Sequence, residues 1–177
     1  MASTARPREH GAMNAASVRI LVTGGTFDKN YDELEGQLRF RSTHVPEMLE
    51  LGRSRIAVEV ETLMLIDSLE MTDAHRAQIV ERCRAAPEAR IVVTHGTDTM
   101  ELTARALHAA ALPKTIVLTG AMVPYTFGSS DGLFNLGSAL AFAQSLPAGV
   151  FVAMNGRCLS GARVRKDRSN GVFIECD

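Results

Sequence analysis

Short β-rich runs alternate with helical patterns along this chain, and that rhythm restricts its fold more than any other feature. The runs span residues 18–23, 56–66, 90–94, 115–119 and 150–154, and each closes on or near a glycine, threonine or serine cluster. They are nearly continuous in apolar residues, as strands covered on both faces must be. Between them, residues 45–51, 72–85, 98–110 and 133–144 carry apolar side chains at three- and four-residue spacing, the period of a helix with one buried stripe. Alternating strands and helices predict a parallel sheet, and right-handed crossovers then put helices on both of its faces. The expected fold class is α/β, a three-layer sandwich around a mostly parallel open sheet of flavodoxin or Rossmann type. Thr72 or Asp73 suits the N-cap of the second helix and Thr97 or Asp98 that of the third, while Pro87 and Pro113 punctuate connections that follow helices.

The chain has 177 residues, enough for one domain of ordinary size with a sizeable core. Residues 1–16 include Arg6, Arg8 and His10 but no apolar run, so a flexible tail is expected there rather than a secretory signal. No apolar stretch approaches the roughly 20 residues of a spanning helix, which makes the cytoplasm the expected location. Basic residues number 19 against 20 acidic ones, a net charge of -1, so no global field recruits nucleic acid or an anionic membrane. A small-molecule partner is expected instead. Cys83, Cys158 and Cys176 are odd in number and widely spaced, which fits neither a disulfide framework nor a zinc cluster.

In an open α/β sheet, ligands bind beyond the carboxyl ends of the strands, so the loops that follow the strands carry the functional signal. The first reads Thr23-Gly24-Gly25-Thr26-Phe27. Its two glycines permit a sharp turn that leaves the Thr26 hydroxyl past the strand end, where it can serve as a nucleophile. The same residues also suit a plain glycine-rich turn or a weak nucleotide site, although the G-x-G-x-x-G fingerprint and a P-loop lysine are both missing from the sequence. The second loop reads Thr94-His95-Gly96-Thr97-Asp98-Thr99-Met100-Glu101. Helix capping accounts for one or two of those side chains, but not for three hydroxyls, a carboxylate and a histidine within six residues. The third stretch, Thr119-Gly120-Ala121-Met122-Val123-Pro124 with Ser129-Ser130-Asp131-Gly132 and Asn135, offers backbone amides and packing rather than an acid, base or nucleophile.

In this order T-G-G-T-F, T-H-G-T-D-T-M and T-G-A-M-V-P resemble the motifs of the bacterial-type L-asparaginase family. The family continues with S-A-D-G and N-L, as this chain does with Ser130-Asp131-Gly132 and Asn135-Leu136, and the resemblance runs from about Val18 to the end. It implies hydrolysis of the L-asparagine side-chain amide, with weak action on glutamine, and requires no metal or organic cofactor. Thr26 falls on the nucleophilic threonine and Tyr31 on the tyrosine of the mobile loop, here residues 28–40, a lid that closes over substrate. Thr97, Asp98 and Lys166 fall on the second catalytic triad, Lys166 within Gly161-Ala162-Arg163-Val164-Arg165-Lys166, which resembles the family's G-R-D-V-T-K. Lys166 then takes the proton of a hydroxyl or of an attacking water. Ser68, Gly96 and Ala121 are the implied substrate-binding residues.

Two departures stand out. The family's serine and glutamine pair that grips the substrate falls on Ser68 and Leu69, and Leu69 cannot supply an amide. Typical members also carry a smaller C-terminal domain that donates an acid to a neighbouring subunit's site. Residues 17–177 are therefore expected to form a single asparaginase-like catalytic domain that assembles as a homo-oligomer, a dimer or tetramer. The competing expectation is a non-catalytic amino-acid-binding or interaction domain on the same fold. Both threonines, Asp98 and Lys166 stand against it, because binding alone has no chemical need for them.

Overall fold

A computed structural model describes residues 17–176, so the expectation of a flexible tail at residues 1–16 falls outside the described part. The chain runs β1 (Val18–Gly24), β2 (Lys29–Asp32), β3 (Gln37–Phe40), α1 (Val45–Leu51), β4 (Val58–Ile66), α2 (Asp73–Ala85), β5 (Arg90–Thr94), α3 (Met100–Ala109) and β6 (Thr115–Thr119). It continues with α4 (Gly132–Ser145), β7 (Gly149–Met154), β8 (Arg157–Ser160), β9 (Val164–Asp167) and β10 (Val172–Glu175). One six-stranded sheet has the order β4-β1-β5-β6-β7-β8, parallel throughout except for the last pair. Counting only its parallel strands, the order is 2-1-3-4-5, that of a flavodoxin-type sheet.

Alternation along the central strands builds the two cores. Leu21, Val93, Leu118 and Val152 point to one face, where they pack with Ile79 and Cys83 of α2 and Met100, Ala104 and Leu107 of α3. Ile20, Val22, Val92, Val117 and Ala153 point to the other, against Val45 and Met48 of α1 and Leu136, Ala139 and Leu140 of α4. Each fully buried aliphatic side chain contributes about 1.5–3 kcal/mol, which explains why the central runs contain almost no polar residue.

Local chemistry sets the helix ends. Thr72 caps α2 through a reciprocal box, its hydroxyl accepting from the His75 amide while His75 Nδ1 accepts from the Thr72 amide. The third helix departs from expectation: it begins at Met100 with Thr99 at the N-cap, so neither Thr97 nor Asp98 caps it. Strand β4 starts at Val58, two residues later than its apolar pattern suggests. Residues 28–40 also differ from a simple polar loop, because β2 and β3 pair as an antiparallel hairpin with Tyr31 opposite Leu38. A second antiparallel ribbon, β9 with β10, follows the sheet. At the amino ends of the strands, Arg19 bonds Glu88 and Glu61, and Arg82 bonds Glu61. The carboxyl ends carry the hydroxyl-rich loops.

Candidate active site

Strands β1 and β5 lie side by side, and from them the chain winds outward in opposite directions, to β4 on one side and to β6 and β7 on the other. Such a reversal opens a crevice beyond the carboxyl ends, where a ligand can enter between two loops. Here the two loops touch backbone to backbone. A Cβ on Gly25 would lie 2.3 Å from the Gly96 nitrogen and 2.4 Å from its Cα. Gly25 also sits at φ 84°, a conformation that favours glycine. On its other side Gly96 abuts the next loop, since a Cβ there would lie 2.6 Å from both Cβ and Oγ of Ser68. Glycine packing therefore brings the loops that carry Thr26, Ser68 and Thr97 against one another at one point. The third loop closes against the second in the same way, a Cβ on Gly120 falling 2.3 Å from the His95 carbonyl oxygen. Ala121 follows, fully buried.

Lys166 reaches this point from far along the chain. It lies on β9 opposite Phe173 and on the same face as Val164, and both of those side chains are buried in the core beside α3. Glu101 of α3 accepts the Lys166 backbone amide at 2.7 Å, which fixes where the strand passes the helix. The ammonium then donates to Thr97 Oγ1 at 2.7 Å and to Asp98 Oδ1 at 2.8 Å. The Lys166 side chain is only 8% exposed, against 39% for Asp98, so the pair faces solvent on the carboxylate side. Arg168 donates to the Asp98 carbonyl at 3.1 Å.

The other groups of the loops set positions. His95 is fully buried and its pKa falls to about 4, because burial disfavours the cation and outweighs a hydrogen bond to the Gly96 carbonyl. A carbonyl only accepts, so Nδ1 carries the hydrogen, leaving Nε2 to accept from Thr103 Oγ1 at 2.7 Å. Thr23 and Thr119, the first residues of two of the motifs, donate to the carbonyls of Thr94 and Ala153 and so stitch neighbouring strands. Thr99 donates to the Ser68 carbonyl at 2.7 Å. Asp131 accepts from the Met122 and Val123 amides, and Asn135 donates to the Gly120 carbonyl, fixing the third loop.

Tyr31 stands apart. It lies on β2, 57% exposed, and among the described residues its hydroxyl bonds none of the groups just named. Leu69 is 67% exposed, and its amide donates to Asp67 Oδ1. Sequence reasoning passed over Asp28, which directly follows Phe27 in the turn that begins at Thr26. Its side chain is fully buried, its Oδ1 accepts from Thr43 Oγ1 and the His44 amide, and its Oδ2 is without a partner. Burial pushes its carboxyl above the ordinary range despite those two donors. Because Asp28 precedes β2 and Thr43 follows β3, this clasp closes the base of the hairpin. An acid immediately after the first motif was the available signal, yet its burial depends on contacts 15 and 16 residues away.

A groove of about 600 Å³ lies elsewhere, between α1 and α4, lined by Met48, Leu133, Phe134 and Leu136. Its lining holds none of the reactive groups described above.

Comparison with known proteins bears on the chain as a whole. Residues 17–173 match the family model described as "Asparaginase, N-terminal". A probable periplasmic L-asparaginase of Haemophilus influenzae is 34% identical over 175 residues, which are 91% of this chain and 49% of that protein. A component of the glutamyl-tRNA(Gln) amidotransferase of Aeropyrum pernix is 33% identical over 86% of this chain and 40% of its own length. Among solved structures, the thermostable L-asparaginase of Thermococcus kodakarensis superposes with a TM-score of 0.78 at 32% identity, covering 90% of this chain and 51% of that one. The chain thus spans about half the length, or less, of the relatives it matches. Among the described residues no helix is long and apolar enough to cross a membrane.

Proposed function

Because this chain belongs to the asparaginase family, we propose that it hydrolyses the side-chain amide of L-asparagine to L-aspartate and ammonia. One observation carries the reading: the nearly buried Lys166 ammonium bridges Thr97 and Asp98 beside the loop that bears Thr26. In the proposed first step Thr26 Oγ adds to the amide carbon, its proton is relayed to the amide nitrogen, the C–N bond breaks and ammonia leaves. An aspartyl ester on Thr26 remains. In the second step Lys166, acting as the neutral amine, takes the Thr97 hydroxyl proton while that hydroxyl takes one from a water, which adds to the ester carbon. The Thr26 oxygen leaves with a proton and aspartate is released. Backbone amides of the loop after β5, with the Thr97 hydroxyl, stabilise the oxyanion, each donor being worth about 2.7–4 kcal/mol. Ser68, Gly96 and Ala121 line the substrate, and Tyr31 joins the site only when its hairpin folds inward.

Residues 17–177 act on this reading as one catalytic domain, cytoplasmic and assembled as a dimer or tetramer. Glutamine is a weaker substrate, since one extra methylene changes selectivity only about 10- to 200-fold in an apolar pocket. The exposed Leu69, where the family has an amide, favours a second reading in which the chain binds an amino acid without turnover. Ammonia release from L-asparagine, run beside L-glutamine and the Thr26→Ala variant, decides between them. Release abolished by the substitution supports hydrolysis; binding with no release at millimolar substrate overturns it.

A further inference from the structure

Resting on the amidohydrolase reading, the question is what holds the substrate's α-carboxylate when Leu69 cannot. Ser68 supplies one hydroxyl, and the Leu69 amide is already committed to Asp67. A carboxylate drawn from water needs more than one neutral donor, and a cation is the simplest remedy. Lys166 is engaged on Thr97 and Asp98, and Arg168 on the Asp98 carbonyl. Lys29 is placed differently.

It follows the turn that begins with Thr26, and its ammonium donates to Asp67, the residue immediately before Ser68. Its side chain is only 18% exposed and lies over the Phe40 ring, 5.7 Å from the centroid. Its backbone is pinned on both sides: Thr126 Oγ1 donates to the Lys29 carbonyl, and the preceding Asp28 is held by the buried clasp to Thr43 and His44. Burial alone would raise the Asp67 carboxyl, but the hydrogen bonds from Lys29 and from the Leu69 amide together outweigh it and hold the group below its usual range, so Asp67 is a carboxylate at neutral pH. An ammonium has three donors and Asp67 uses one. Lys29 thus spans the nucleophile's loop and the serine's loop, with capacity for one more anion.

We infer that Lys29 is a specificity-determining residue that reads the substrate's free α-carboxylate together with Ser68, supplying as charge what the family supplies as an amide. The site then discriminates free amino acids from α-amidated or peptide-bound ones. Calorimetry with L-aspartate and with its α-amide, L-isoasparagine, tests this on the wild type, Lys29→Met and Lys29→Arg. Both ligands meet the same protein, so a loss of folding in a variant cancels from their ratio.

The expected result is that Lys29→Met weakens L-aspartate about tenfold or more while changing L-isoasparagine by less than about twofold, and that Lys29→Arg keeps most of the discrimination. Equal loss on both ligands, which a merely structural latch to Asp67 would give, overturns the assignment. So does unchanged binding, or a wild type that binds neither. Ammonia release from L-asparagine in the same samples separates the two readings. Release with discrimination intact in Lys29→Met removes Lys29 alone, whereas Lys29-dependent discrimination without release removes hydrolysis alone.

Discussion

Lys166 serves two acceptors at once, so replacing its amine deprives Thr97 and Asp98 of a donor in one change. Lys166→Met is expected to lower turnover by about 10²–10⁴-fold, the range of a lost general base. Thr26→Ala and Thr97→Ala should each lose comparable activity, with the circular dichroism spectrum unchanged; near-wild-type ammonia release in any of the three removes that residue from the mechanism. His95 makes a different prediction. Its pKa is about 4 when folded and about 6.5 when unfolded, so the unfolded chain binds a proton first as pH falls. The stability that neutral His95 confers is complete above about pH 6.5 and is lost progressively toward pH 4, on the order of 3 kcal/mol. The denaturation midpoint of the wild type should drop across that window, and His95→Asn should flatten the drop. A parallel decline in the variant would assign the acid sensitivity to other groups. At this scale the sequence is only half readable: Thr97 and Asp98 are neighbours, but 69 residues separate Thr97 from Lys166 and no periodicity joins them.

Loops, rather than strands, carry the precision of the site, and glycines let them meet. Gly96→Ala would drive a methyl group into Ser68, and Gly25→Ala would drive one into the Gly96 backbone. The Gly96 backbone cannot yield as a flexible side chain would, and the Ser68 Cβ is fixed to its own backbone, so each substitution should cost at least about 1–3 kcal/mol and lower the thermal midpoint by several degrees. A midpoint unchanged in Gly25→Ala would show that the loops separate more freely than their spacing allows. The parallel strands and all four helices are legible because their apolar periods are strong, and ends shift by only one or two residues. The β2–β3 hairpin is not legible, since β2 reads Lys-Asn-Tyr-Asp with a single apolar side chain and the alternation in β3, Gln-Leu-Arg-Phe, lasts only four residues. The third helix starts later than its polar residues suggest because Asp98 is held by Lys166 and Thr99 by Ser68, contacts that no local pattern announces.

For the whole molecule, the exposed apolar residues matter most. Leu133 and Phe134 of α4 line the 600 Å³ groove beside α1, and Leu51 is exposed nearby on α1 itself. Contiguous apolar surface of this kind is commonly covered by a partner. Light scattering at micromolar concentration is expected to give a dimer or tetramer, and a monomer would contradict that assembly while leaving the catalytic reading standing. The placement of Lys166 has its own effect on how activity is lost. Among the described residues the β9–β10 ribbon forms a sheet of its own beside the six-stranded one, held by Val164 and Phe173 and by hydrogen bonds that involve Glu101, Arg105 and Arg157. Two-stranded ribbons are marginal by themselves and open below the global free energy of unfolding. On mild warming Lys166 is therefore expected to leave Thr97 and Asp98 while the sheet persists, so that ammonia release by the proposed mechanism fades before the fold melts.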